Sequence, residues 1–230
     1  MRRASPLLRH GAAGAALAAL CLGAAAAPAQ LAPGYSGFSG IQYMGNEEAW
    51  WSLRQLGACL ARTRPRASET LLATRAGTAE EAAASRALLG NNTSCLQPNS
   101  RMSVTRDLLR GVVAEGLYTR RYTAAPPALA EAPDDVPAIG ADGKPIGIPI
   151  LVSFARCFAA IRPGEIHSLL TTTRLGSRPE HEAIGAMAPD FGRCIPAGAR
   201  VNFQAPIVRI VLAEALYHRA RAAAAQQGGR

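Results

Sequence analysis

Few residues in this 230-residue chain have chemistry beyond packing: five cysteines, four histidines and a small set of acids. Cys59, Cys95, Cys157 and Cys194 are widely spaced. No CxxC occurs, so neither a redox pair nor a metal site has local support, and disulfides become the default. Glu115 follows Leu108 by seven and Val112 by three, which sets it on an apolar helical stripe. A carboxylate there must be paired or its pKa must rise. Next to Tyr118 it could serve as general acid or base. The favoured reading is a structural Glu–Arg bridge, with Arg101 or Arg64 as partner and Glu214 with Arg200 as its counterpart. His167, His181 and His218 fall on three different predicted helices, so a metal trio would need tertiary convergence. The chain has no G-x-S-x-G, since Gly37-Phe-Ser-Gly40 falls short, and no HExxH, since Gly185 stands where a second histidine is required. P-loop, haem-attachment and dinucleotide motifs are missing too. No cofactor and no metal is expected, and Lys144, the only lysine, lies in a linker.

Residues 1–29 read as a cleaved export signal: Arg2, Arg3 and Arg9, an apolar stretch from Gly11 to Ala27, then Ala27-Pro28-Ala29. Three arginines and no acid leave with it, which lowers the formal net charge from +9 to +6. The remaining excess is not clustered with aromatics, so nucleic acid is not an expected partner. No later apolar run is long enough to span a membrane. Cys21 leaves with the signal, and the four remaining cysteines enter an oxidising compartment.

The elements that must position these groups come in two copies. Residues 59–120 align over 157–219 with one gap near residue 75, and about a third of the columns are identical. Cys59-x-Ala-x-x-Arg-Pro65 matches Cys157-x-Ala-x-x-Arg-Pro163, and Cys95 matches Cys194. Arg110 to Arg120 matches Arg209 to Arg219, a block that retains Glu115/Glu214 and Tyr118/Tyr217. The predicted fold is all-α: two tandem, similar four-helix units over 47–122 and 149–221, with a Gly/aromatic arm over 30–46 and a disordered tail over 222–230. A Pro-rich linker, 123–148, joins them, with a turn signal at Ala141-Asp142-Gly143-Lys144.

Within each unit the first helix (Glu47 to Arg62 in the first copy) stops before Arg64-Pro65 or Arg162-Pro163, because the residue ahead of proline avoids the α region. Capping boxes open the third helices at Thr78-Ala-Glu-Glu81 and Ser177-Arg-Pro-Glu180. There the glutamate is expected to reach back to the cap's own N–H. Arg101–Val104 and Arg200–Phe203 read as short extended segments. The fourth helices run from about Thr105 or Ala205 to Arg120 or Arg219. Duplication selects Cys59–Cys95 and Cys157–Cys194 among the three pairings, since a unit that folded before it was copied holds its own bridge. Each closes a loop of about 36 residues, stabilising by roughly 3–4 kcal/mol. Asn91-Asn92-Thr93-Ser94 contains glycosylation sequons, read as a loop in a bacterial host.

The succession of Cys, an Arg-Pro break, Leu-Leu, a capped helix, Cys, and Leu-Arg-x-x-x-Ala-Glu-x-Leu-Tyr resembles exported periplasmic proteins of alphaproteobacteria that carry a duplicated helical unit. The resemblance covers most of residues 47–221. It implies the compartment and the layout, and no activity. Gly111 and Gly116 depart from the pattern, where the second copy has Ile210 and Ala215.

The expected function is a disulfide-stapled, non-enzymatic binding protein of the periplasm or exterior, its partner a protein or an envelope component. The groove between the units, the Trp50-Trp51 pair and the segment Tyr35 to Tyr43 are candidate contacts. The alternative is an enzyme acting on an envelope polymer, with His167, His181 and Asp190 converging on a pocket.

Overall fold

The computed structural model describes residues 47–90, 93–95, 102, 104–129, 138–139, 145–146, 150–195, 201 and 203–228. Described residues form eight α-helices: α1 (Glu47–Thr63), α2 (Pro65–Ala73), α3 (Ala79–Leu89), α4 (Arg106–Arg121), α5 (Ile150–Ile161), α6 (Pro163–Thr172), α7 (Arg178–Phe191) and α8 (Ala205–Gly228). A two-residue antiparallel pairing, Ala138–Ile139 with Pro145–Ile146, flanks the predicted turn. Short 3-10 turns, Thr93–Cys95 and Gly192–Cys194, follow α3 and α7.

Local chemistry sets the helix boundaries. Pro65 and Pro163 open α2 and α6, where a missing N–H costs no intrahelical bond. The Thr78 and Ser177 hydroxyls accept from the amides of Glu81 (3.3 Å) and Glu180 (3.4 Å). The glutamates differ from a standard capping box. Glu81 and Glu180 accept from Gly77 and Gly176, one residue before the cap, each at 2.8 Å. Both glycines have positive φ, 82° and 81°, a backbone only glycine adopts cheaply, and this turns their N–H groups toward the helix start. The expected disordered tail is corrected as far as Gly228, because α8 continues through it. Its last turns, Ala222 to Gln227, are alanine and glutamine, which favour helix without tertiary contacts.

Two disulfides fasten the ends of these helices. Cys59 in α1 joins Cys95, and Cys157 in α5 joins Cys194, with Cα separations of 5.6 and 5.5 Å. Both lie within the ordinary range for such bridges. Cys157 and Cys194 are 3% and 1% exposed, whereas Cys59 and Cys95 are half-buried.

One core runs through all eight helices. Leu56, Leu60, Leu71, Leu88 and Leu117 belong to the same buried cluster as Phe154, Phe158, Ile166, Leu170 and Leu212. A smaller cluster joins Trp50, Leu53, Leu108 and Val112 to Leu175, Ile207 and Ile210. Helices α4 and α8 run in opposite directions across the centre, since Arg110 meets Glu214 while Glu115 meets Arg209. Glycines set how closely α4 approaches α8 and α1. A Cβ on Gly111 would fall inside the envelope of the Ile210 side chain and 2.7 Å from its carbonyl oxygen. A Cβ on Gly116 would stand 2.9 Å from Ala61 Cβ in α1. The seam between the first four and last four helices is therefore packed shut there, where a ligand groove was expected.

Candidate functional site

The polar groups with the greatest chemical potential lie inside the α4–α8 crossing. Arg209, fully buried, donates from Nε and Nη2 to the two oxygens of Glu115 at 3.0 and 2.8 Å. Its other donors reach the carbonyls of Leu169 (3.0 Å), Leu170 (3.2 Å) and Thr173 (3.3 Å), and the Thr173 hydroxyl (2.7 Å), at the carboxyl end of α6. Glu180 lies 3.5 Å from Arg209 Nη1. Arg110 repeats the arrangement. It donates to Glu214 at 3.0 and 2.5 Å and to the carbonyls of Leu71, Leu72 and Thr74 at the end of α2, with Glu81 3.6 Å away. Each arginine thus caps the second helix of its own half and pairs with a carboxylate of the other.

Electrostatics follow from these contacts. Burial pushes the Glu115 carboxyl up, but Arg209 and Arg54 outweigh it and hold it below the usual value. Arg54 of α1 donates to Glu115 at 2.6 Å. Glu214 is also lowered, burial being offset by His218 and Arg110. Glu115 is thereby an ionised brace, with both oxygens occupied.

Arg64, one of the two partners expected for Glu115, is engaged elsewhere. Arg64 donates to the carbonyls of Ala87 (3.0 Å) and Leu88 (2.7 Å) at the end of α3. Arg101 and Arg200 lie outside the described residues. Glu115 has one partner from its own half, Arg54, 61 residues away, and one from the other half, Arg209, 94 residues away. A signal for Arg209 was present: it sits three residues before Leu212 on an apolar stripe. Arg54 carried no such signal.

His167, His181 and Asp190 each have a different partner. His167 Nδ1 meets the Tyr118 hydroxyl at 2.8 Å. Burial, with Tyr122 adding, pushes that phenol up to about 12, so it stays protonated. His181 Nδ1 donates to the Ser177 carbonyl at 2.8 Å, and Asp190 pairs with Arg162 at 2.7 Å. Asp190 also lines a shallow groove of about 330 Å³ between α6 and α7 with Arg162, Glu165, Ser168 and Thr172; His167 and His181 are not among its lining residues. Its floor, Phe158, Leu169 and Met187, is 0–7% exposed. Among the described residues no group of three or more His, Cys, Asp or Glu could hold a metal ion.

Of the candidate contacts, Trp50 is 6% exposed and packs on the turn before α7. Trp51 stacks under Arg174 at 4.3 Å and faces Arg54 at 5.3 Å. Tyr35 to Tyr43 lie outside the described residues, as do Asn91 and Asn92 of the sequons. No helix among the described residues is long and apolar enough to cross a membrane. Comparison with family models, curated proteins and solved structures returns no match, so the site is read from its geometry.

Proposed function

We propose that the chain is an exported, disulfide-stabilised helical scaffold that acts by binding, in the periplasm or outside the cell. On this reading residues 1–29 are a cleaved signal, and two tandem four-helix units, each with its own bridge, are joined by the Pro-rich stretch 123–148. The partner is a protein or an envelope component. The observation that carries the reading is the reciprocal brace. Arg110 and Arg209, 3% and 0% exposed, are each committed to helix-end carbonyls and to a carboxylate across the seam. Buried charges used this way fix a geometry. The separate partners of His167, His181 and Asp190 support binding over an enzyme acting on an envelope polymer.

The test is expression of the full chain in a Gram-negative host, followed by fractionation and intact mass of the product. The expected product is periplasmic, begins after Ala29 and is four hydrogens lighter than its reduced form. Full-length chain in the cytoplasm with free thiols would overturn the export reading. For the binding claim, partners captured by crosslinking in the periplasm should be unchanged by the triple substitution His167→Ala, His181→Ala, Asp190→Ala. Loss of a polymer-degrading activity on that substitution would replace the scaffold with an enzyme.

A further inference from the structure

Contacts across the seam between residues 47–122 and 150–228 map onto themselves when the two aligned segments are exchanged. Arg110 pairs with Glu214, and Arg209 pairs with Glu115. The alignment matches Arg110 with Arg209 and Glu115 with Glu214, so each pair is the image of the other. The helix-end contacts obey the same rule. Arg110 donates to the carbonyls of Leu71 and Thr74, and Arg209 to those of the matching Leu169 and Thr173. Such reciprocity characterises a two-fold, self-complementary interface, closed here within one chain.

Its ion pairs cannot choose between like and unlike halves. Each segment carries both the arginine and the glutamate, so two first segments or two second segments would form the same bridges. The choice falls to side chains on the two-fold axis, where a residue meets its own counterpart. Gly111 and Ile210 occupy matching positions and touch: a Cβ on Gly111 would overlap Ile210 Cγ2 and stand 2.7 Å from the Ile210 carbonyl oxygen. Two second segments would drive one Ile210 into another, in a space that already rejects a single extra carbon. Two first segments would set Gly111 against Gly111 and leave a void where the buried Ile210 side chain now sits. Trp50 adds the same preference at a second place. It packs on Gly176 and shares a buried cluster with Leu175. In the first segment the matching residues are Gly77 and Ala76, and nothing lies within 4 Å of a Cβ on Gly77.

We propose that this seam is a selective pairing interface that joins unlike halves only, and that the partner it fits is the second half of another copy of this chain. Two copies can then exchange halves reciprocally and form a dimer with two seams. The connection is long enough: twenty residues, 130–149, separate Leu129 from Ile150, a reach of roughly 70 Å. Neither disulfide crosses the seam, so both bridges stay closed during exchange. A flexible tether holds a chain's own halves at an effective concentration on the order of mM, so unsubstituted copies pair internally in dilute solution. Exchange prevails once a neighbour's half fits better than the chain's own. The inference rests on the duplicated layout proposed above, and on neither export nor an external partner.

Two full-length, oxidised variants test it by complementation. Gly111→Ile puts a side chain on both sides of the axis, and Ile210→Gly removes it from both. Each variant alone should unfold at lower urea than the unsubstituted chain. Refolded together from urea in equal amounts, they should form a one-to-one complex in native mass spectrometry, with a urea midpoint above that of either variant alone. In that complex one seam regains Gly111 against Ile210, and the other carries the same two side chains interchanged. The mixture starts from unfolded chains, so a variant that cannot fold by itself leaves the test intact. A mixture that behaves as the sum of its parts, or a like-with-like dimer of either variant, would overturn the proposal. A chain with both substitutions should regain stability lost in Gly111→Ile and stay monomeric; no recovery would remove the axis pair as the selecting contact. Failure of the export or capture experiments above would leave these outcomes unchanged.

Discussion

Replacing Arg209 by methionine keeps most of the side-chain volume and the helix preference of the site while deleting its charge. Arg209 is fully buried and makes six hydrogen bonds: two to Glu115, and four to Leu169, Leu170 and Thr173. Without it Glu115 keeps only Arg54, Glu180 loses its facing cation, and three carbonyls at the end of α6 lose a charged donor. Breaking a buried pair by removing one partner costs about 3–5 kcal/mol, a large part of the roughly 5–15 kcal/mol that holds a domain folded. A volume-conserving apolar exchange at a site that only packs would cost less than about 1.5 kcal/mol.

Urea unfolding of Arg209→Met at pH 7.5, followed by far-UV circular dichroism, separates the two cases. The deficit should also depend on pH. Glu115 is held below the usual carboxylate range, so its pairing stabilises above that range and is lost as pH falls through its folded value. In Arg209→Met only the attraction of Arg54 is left, so the gap to the unsubstituted protein should narrow on acidification. A loss under about 1 kcal/mol at pH 7.5 would refute the reasoning.

Three further outcomes follow from packing and burial. Gly111→Ala gains roughly 1 kcal/mol of helix propensity yet should destabilise by about 1–3 kcal/mol, because its Cβ has no room against Ile210; thermal unfolding measures the sign. Under graded reductant, Cys59–Cys95 should open before Cys157–Cys194, since only the first bridge is partly exposed; alkylation and peptide mass mapping give the order. The Ser68 hydroxyl is buried without a partner, and the aligned position of the later segment is Ile166, so Ser68→Ala should leave stability unchanged or raise it by about 1 kcal/mol in urea unfolding.

Much of the local architecture was legible in the sequence. Arg-Pro breaks place the starts of α2 and α6 and hydroxyl caps those of α3 and α7, whereas the apolar stripes understate the burial of α4 and α8, whose residues 108–118 and 205–213 are buried on every side. The cysteine pairing was reachable because matching the two segments removes the ambiguity that four cysteines otherwise leave. What stayed hidden is tertiary. Glu115 was recognised as needing a cation, but periodicity cannot say that Arg209 supplies it from a helix that crosses in the opposite direction. Likewise, Gly111 and Gly116 stand out in the sequence only as departures from the matching segment, and the positions of Ile210 and Ala61 show that they serve close packing. Glu81 and Glu180 looked like simple caps, because a sequence does not show which amide a left-handed glycine turns inward.

The two sets of four helices form one body, held across α4 and α8 by burial and by reciprocal Arg–Glu pairs. Neither disulfide crosses that seam. A protease site placed at Ala141–Lys144 of the full oxidised chain, then cut under native conditions, tests this directly by size-exclusion chromatography. Both fragments should elute together as one helical species and separate only in denaturant. Fragments that part under native conditions, each still folded, would contradict it.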